Sequence, residues 1–373
     1  MFLSNFYTLL PSFETTQEET LEWLGAAHAE SERTLGKSAI HFEKEIREKI
    51  WHVGCKPDRI AKRGHVLSDF LHQNWDEMKV YRLKAKATGE NLSVRMAHFK
   101  EHTEKALHTF YEQVEAAPDD LIHVTCTGYV SPSAAQTLVS QKSWGQETTV
   151  THAYHMGCYG ALPALRMARG FLATDAKKRR VDLVHTELCS LHVNPSLHRL
   201  DQLVSQSLFA DGFIKYSLFS TLRDAPAFQV HAVREEIIPN STHAMRWDVV
   251  DWGNEMSLSK EVIVLIARAI QGFLERLAAQ TAWSVKELSE KALFAVHPGG
   301  PKILSHVQEM LALKDKQMEH SCQVLFNRGN MSSATLPSIW EKMLADPCVE
   351  PGPVVSLAFG PGLTLCGAIL EKR

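Results

Sequence analysis

Residues 150–173 read VTHAYHMGCYGALPALRMARGFLA. The pattern changes character twice within this stretch. VTHAYH has the β-branched and aromatic make-up of a strand. Leu162, Leu165, Met167 and Phe171, with small residues between them, have the spacing of a helix. Cys158 lies at the junction, flanked by glycines, where the helix opens. A cysteine there faces unpaired backbone N–H groups and the positive end of the helix dipole, which lowers a thiol pKa and favours the nucleophilic thiolate. Pro163 is close enough to the helix start to be tolerated.

The same alternation extends in both directions. DLIHVTCTG (120–128) is a short strand running into a polar turn, and SPSAAQTLVSQ (131–141) is a helix. RRVDLVHTELCSL (179–191) is a strand, and residues 200–219 give a helix, a turn and a strand. Strands alternating with helices imply an α/β sheet covered by helices. Residues 227–239 and 242–253 carry strand periodicity, and 258–278 reads as one long helix. The C-terminal part repeats this grammar. ALFAVHPGG (292–300) is a strand ending in a histidine and a glycine turn, and a helix follows at 302–313. Residues 322–331 are an apolar stretch entering a polar turn, before the helix SSATLPSIWEKML and two strands around Gly360-Pro361-Gly362. The halves do not repeat literally, yet both present strand, reactive residue and helix. The reading is a pseudo-duplicated α/β protein divided at 1–222 and 223–373.

The N-terminal region is less regular. Residues 1–20 carry a short apolar edge strand, 16–50 reads as helix, and 92–116 as a second helix ending before Pro118 and Asp119. Residues 51–70 are loop-like. Their basic residues Lys56, Arg59, Lys62 and Arg63 form either a solvated face or an anion-contacting loop.

Composition narrows the function classes. The chain has 373 residues, 45% of them hydrophobic, enough for a large core. Forty basic and 43 acidic residues give a net charge of -3 without a basic block, so the positive footprint of a nucleic-acid binder is lacking. No apolar run reaches the roughly 18 residues of a membrane span. The start lacks a secretory signal, which points to the cytoplasm. The seven cysteines are widely spaced with no CxxC pair, which argues against a disulfide framework or structural zinc and fits a reducing compartment. No HExxH spacing occurs among the 19 histidines.

Cys158, His297 and Asn330 each lie at a strand or helix junction. In α/β folds such junctions converge on one crevice. A nucleophile needs a base within reach, and a side-chain amide is a good donor to a developing oxyanion. Other His and Asn residues compete on this argument alone.

HMGCYGALPALRMARG, LFADG, AVHPGGPKIL, NRGNMSSAT and FGPGLT, in that order, resemble the signatures of the type III polyketide synthase family. The match runs from about residue 121 to 370 and is looser before it. The resemblance implies a thiolase-like, five-layer αβαβα fold and a homodimer. It carries the nucleophile to Cys158, the catalytic histidine to His297 and the asparagine to Asn330. Phe209 falls on the first gatekeeper phenylalanine, and Met256 takes the place of the second. Gly360 and Pro361 belong to the loop that shapes the cavity. Cys126, Cys189, His192 and Glu187 fall on cavity positions. Lys56, Arg59, Lys62 and Arg63 match the stretch that binds coenzyme A phosphates. The implied chemistry is acyl transfer to Cys158, held as a thiolate by His297, then decarboxylative Claisen condensation with malonyl-CoA. It requires no metal or redox cofactor.

Several departures bear on the product. Residues 194–203 lack the family's phenylalanine-arginine-glycine-proline string, and Ile263 and Val264 replace a proline-glycine pair. A flexible methionine at a constriction tolerates unbranched chains. These features favour a bacterial enzyme that takes an aliphatic acyl starter and makes an alkyl α-pyrone. The alternative is a ketosynthase that joins two β-ketoacyl chains delivered by an acyl carrier protein. His152 and His155, three residues apart, are expected on opposite faces of their strand.

Overall fold

The computed structural model describes residues 1–37 and 40–373. The chain opens with β1 (Phe2–Leu9), β2 (Phe13–Thr16), α1 (Gln17–Thr34), α2 (Ile40–Val53), β3 (Lys62–His65) and α3 (Leu92–Tyr111). It continues through β4 (Asp120–Thr125), α4 (Ala134–Gln141), β5 (Thr149–Tyr154), α5 (Ala161–Thr174), β6 (Arg180–Leu188), α6 (Leu200–Gln206) and β7 (Asp211–Phe219). After a loop come β8 (Phe228–Ile237), the hairpin β9 (Met245–Val250) and β10 (Gly253–Leu258), α7 (Val262–Ala278) and α8 (Val285–Lys291). The chain closes with β11 (Leu293–Val296), α9 (Pro301–Met310), α10 (Asp315–Arg328), α11 (Thr335–Ala345), β12 (Gly352–Gly360) and β13 (Thr364–Lys372).

Nine strands pair in the order β11-β12-β13-β8-β1-β7-β6-β4-β5. Only Phe2↔Gln229 and Leu3↔Phe228 join β1 to β8, so the sheet consists of two leaves hinged at that short seam. Side-chain alternation shows how the leaves are covered. On β4, Ile122 and Val124 pack with Leu162 and Leu165 of α5 and with Leu336 and Trp340 of α11. Leu121, on the opposite face, packs with residues of α1, α3 and α4. On β13, Cys366, Ala368 and Leu370 join the α5–α11 cluster, whereas Leu365 and Ile369 join α7, α9 and α10. Helices α5 and α11 therefore form a central layer, with a leaf and an outer helical layer on each side. This is the five-layer αβαβα arrangement expected.

The two halves place equivalent parts in equivalent positions. In the first, β5 leads through the single 3-10 turn Gly157–Tyr159 into α5; in the second, an isolated bridge at Asn330 leads through the 3-10 turn Ser332–Ala334 into α11. The Cys158 and Asn330 segments are thus counterparts, each leading into a helix of the central layer.

Four local expectations change. The N-terminal strand is internal, because β1 pairs antiparallel with β7 along most of its length and with β8 at its start. The helix expected over 16–50 is divided: α1 ends at Thr34, and Gly36 takes a left-handed φ of 75°. Residues 51–70 contain β3, paired with β2 from Phe13↔His65 to Thr16↔Lys62. The stretch from Cys322 is the second half of α10, ended by Gly329 at φ 69°. No helix among the described residues is long and apolar enough to cross a membrane.

Candidate active site

Cys158 owes its position to a turn that few sequences can make. His155 has φ 60° and Gly157 φ 76°, conformations disfavoured by ordinary side chains. A Cβ on Gly157 would also lie 2.9 Å from Pro361 Cδ. The sulfur sits one turn before α5 and is buried at 8% exposure. Burial pushes the thiol up to about 12. The polar side chains of Ser332 and Asn330 pull the other way, while the Glu187 charge adds to the rise. The thiolate expected from the helix terminus is therefore not the resting form, because desolvation outweighs the oriented backbone.

Asn330 presents its amide with one end fixed. Its Oδ1 accepts the Ser332 N–H at 2.9 Å, and Nδ2 is buried without a partner among the described residues. A buried unpaired donor costs about 1–3 kcal/mol, so this N–H₂ is set for a ligand. His297 follows β11, with its backbone N–H on the Leu357 carbonyl at 2.8 Å. Its ring is 1% exposed, and neither nitrogen has a partner among the described residues. Burial pushes it down to about 3, so it rests as a neutral imidazole. Leu208 lies near both loops. A Cβ on Gly300, in the turn after His297, would stand 3.5 Å from Leu208 Cδ1, and the Leu208 carbonyl accepts the Asn330 N–H at 2.9 Å.

Glu187 plays a different part from the one expected. It is fully buried and lines neither cavity described below. Its carboxylate accepts the Cys126 N–H at 3.0 Å, the Thr127 hydroxyl at 2.9 Å and the Ser333 hydroxyl. Burial raises its pKa. Glu187 ties the end of β4 to the turn after Asn330 and has no free oxygen for substrate. Cys126 and Cys189 are buried, with pKa values pushed up by burial as for Cys158, and both line the cavity wall. The Cys126 sulfur lies 3.0 Å from Ser332 Oγ.

His192 lines a cavity, but both its nitrogens are engaged. Nε2 meets the Thr127 carbonyl at 2.7 Å, and Nδ1 accepts the Asn254 N–H at 3.0 Å. This fixes one neutral tautomer, which burial keeps neutral down to about 3. His192 anchors the β9–β10 hairpin and is not available for proton transfer. His152, in β5, meets Ser133 Oγ at 2.8 Å, and His155 meets the Trp247 carbonyl at 2.8 Å.

Two adjoining cavities lie here. One is bounded by Cys158, Ser332, Gly157 and Pro361; the other, the larger, by Arg63, His65, Phe70 and Gln206. Cys189, Phe209, Trp247 and Met256 are common to both walls, so the two expected gatekeepers stand between them. Gly360 lies behind the wall: a Cβ there would come within 2.1 Å of the Tyr159 ring. Trp247 and Met245 are wall residues not expected from the sequence. The i, i+2 alternation of β9 puts both on one face, and the Trp247 indole N–H donates to the Cys126 carbonyl at 2.6 Å.

The basic cluster separates. Arg59 is exposed beside Asp58, and Lys62 pairs with Glu14 at 2.9 Å. Lys56 is partly exposed. Arg63 is a correction: it is 2% exposed, because β3 alternation turns it inward, and Nη1 donates to the Gln206 and Phe209 carbonyls at 2.8 and 2.7 Å. It is not at a surface mouth. Among the described residues the one group with metal-ligand spacing is His98, Glu101 and His102 on α3, away from both cavities.

Comparison with known proteins gives a consistent picture. The N-terminal domain model of chalcone and stilbene synthases matches residues 31–215, and the C-terminal domain model matches 229–372. Probable polyketide synthase 1 of Dictyostelium discoideum is 30% identical over 260 residues; these are 68% of this chain and only 8% of that protein's length. Type III polyketide synthase C of Arabidopsis thaliana is 27% identical over 341 residues, covering 88% of this chain and 86% of the relative. Among solved structures, the C-terminal type III polyketide synthase domain of a type I/III hybrid from Dictyostelium superposes with a TM-score of 0.83 at 23% identity, over 100% of this chain and 99% of the other. The 1,3,6,8-tetrahydroxynaphthalene synthase of Streptomyces coelicolor gives 0.81 at 20% identity, over 100% and 99%.

Proposed function

The chain belongs to the chalcone and stilbene synthase family, and from that premise we propose that it is a condensing acyltransferase that extends an aliphatic acyl thioester with malonyl-CoA and releases an alkyl α-pyrone. The observation that carries this reading is the set of buried, unpartnered groups at the junctions the sequence singles out: Asn330 Nδ2 and both nitrogens of His297.

The chemistry uses each group once per step. Cys158 gives its proton to neutral His297 as its sulfur attacks the acyl-CoA carbonyl. The C–S bond to coenzyme A breaks, and the imidazolium returns the proton to the leaving thiolate. Malonyl-CoA then enters with its thioester carbonyl on His297 and Asn330. Its carboxyl leaves as CO₂, and the electron pair becomes an enolate held by those donors. The enolate carbon attacks the Cys158 acyl carbonyl, forming a C–C bond and expelling the Cys158 thiolate. After further extension, an enol oxygen closes on the thioester carbonyl and frees the coenzyme A thiol. Burial matters because a dry site strengthens each donor at the oxygen where charge develops.

Coenzyme A phosphates would meet Lys56, Arg59 and Lys62 outside the cavities. The resemblance also supports a homodimer, which sedimentation equilibrium would test. The carrier-protein alternative gains no support from the relatives, which are named as polyketide synthases.

The test is to incubate the protein with octanoyl-CoA and carboxyl-labelled malonyl-CoA. The reading expects label in CO₂ and an alkyl pyrone by mass spectrometry. A pyrone that keeps the carboxyl label, or free CO₂ with no extended product, contradicts it.

A further inference from the structure

Arg63 and His65 occupy alternate positions on β3, so both side chains point to the same inner face and both line the larger cavity. They are 2% and 1% exposed. Arg63 Nη1 is used by the Gln206 and Phe209 carbonyls, whereas Nε and Nη2 have no partner among the described residues. Those two N–H groups form the side-on fork of a guanidinium, the edge that binds a carboxylate through parallel hydrogen bonds.

No carboxylate reaches this fork. Among the described residues Arg63 has no ion pair. Asp211 acts on it only at longer range. The Asp211 oxygens already accept the Val66 N–H, the Ser190 N–H and the Ser190 hydroxyl, each within 2.7 Å. A buried guanidinium left this way is costly unless something anionic completes it.

The other unpartnered polar groups of the wall are acceptors. The Thr20 hydroxyl donates to the Thr16 carbonyl, so the Thr15 hydroxyl donates to Thr20 and accepts from His65 Nε2. His65 Nδ1 is then a bare lone pair, and Asn254 Oδ1 is a second one without a donor. These suit water molecules around an anion held on Arg63.

We propose that the larger cavity receives the far end of the starter chain and that the Arg63 fork binds a carboxylate there, so the preferred starter is an ω-carboxyacyl thioester. This rests on the reading of Cys158 as the acylated residue. An acyl group on Cys158 lies in the smaller cavity and reaches the larger one past Phe209, Met256 and Trp247, the shared wall. The malonyl carboxylate is the less fitting occupant, since an ion pair stabilises it as an anion and opposes its loss as CO₂. A carboxylate that survives the reaction has no such conflict.

The test compares kcat/KM for Cys158 loading by suberyl-CoA and octanoyl-CoA, and by adipyl-CoA and hexanoyl-CoA, in the wild type, Arg63→Gln and Arg63→Lys. Calorimetric binding of free suberate and of the uncharged octanamide runs beside it. The expected wild-type preference for the carboxylated chain is roughly tenfold to a hundredfold, the worth of charge-assisted hydrogen bonds. It falls to about one in Arg63→Gln and is partly kept in Arg63→Lys, which has the charge without the fork. If Arg63→Gln does not fold, the wild-type preference and the binding of suberate over octanamide decide. Equal or faster loading of the alkyl chains by the wild type overturns the inference while leaving the condensing function intact. Absence of loading from every donor overturns that function instead, and suberate binding still reads the fork. A wild type that does not bind suberate means the fork holds water only.

Discussion

Phe209 and Asn330 are joined through their backbones: the Ala210 N–H donates to the Asn330 carbonyl at 2.8 Å, and the Asn330 N–H donates to the Leu208 carbonyl at 2.9 Å. The aromatic ring between the cavities and the amide beside Cys158 therefore share one rigid mount, which also holds Arg63 through the Phe209 carbonyl. An acyl chain that displaces Phe209 pulls on the segment that carries the proposed enolate donor.

Asn330→Asp keeps an oxygen for the Ser332 N–H and replaces the free N–H₂ by an acceptor. Malonyl-CoA decarboxylation should fall by roughly 10²–10³, while acyl loading of Cys158 falls much less. Rapid-quench measurement of the two steps separates them. Equal loss in both assigns Asn330 to architecture rather than to the enolate.

The resting thiol and imidazole are both neutral, with Cys158 pushed up to about 12 and His297 down to about 3. Iodoacetamide labelling of Cys158 in the free protein should therefore climb about tenfold per pH unit between neutral and alkaline pH, following the thiolate fraction. A labelling rate that is level across neutral pH means a preformed ion pair with His297.

Acid should unfold the protein steeply. His28, His123, His185, His192 and His297 are pushed down to about 3 by burial, and His65 well below its usual value. Each is neutral when folded and takes a proton when unfolded, so stability is lost as pH falls below about 6.5, at roughly 1.4 kcal/mol per unit for each group. Glu187 and Asp211 oppose this, because burial raises them and their folded forms gain protons first. The histidines outnumber them. The melting temperature should drop sharply between pH 6.5 and 4.5; a constant value across that range refutes the linkage.

Trp247→Ala removes the indole bond to the Cys126 carbonyl and part of the wall common to both cavities. The lost hydrogen bond costs about 1 kcal/mol, and the opened wall should move the preferred starter toward longer chains. Competition among acyl-CoAs of graded length, read by product masses, reports the shift. An unchanged length profile places Trp247 outside the substrate path.

Much of this was legible in the sequence because local pattern and tertiary role coincide. The strand–glycine–cysteine–glycine–helix order at 150–173 requires the Gly157 turn, and that turn is what places Cys158 in the central layer. Burial was not legible. The helix start at Cys158 argues for a thiolate until the surrounding layers are present, and they remove the water that would stabilise it. Arg63 was hidden by reading 51–70 as a loop; as a strand, KRGH places Arg63 and His65 together and away from Lys62. The internal position of β1 depends on partners more than 200 residues away, from Phe213 to Phe219 and at Phe228, beyond what local periodicity reports.

The most direct measurement is intact-protein and peptide mass spectrometry of the wild type and Cys158→Ala after exposure to octanoyl-CoA, followed by malonyl-CoA. The account predicts one acyl group on Cys158, none on Cys126 or Cys189, and its disappearance with release of CO₂ when malonyl-CoA is added. An adduct that persists in Cys158→Ala, or one on Cys158 that malonyl-CoA does not consume, contradicts it.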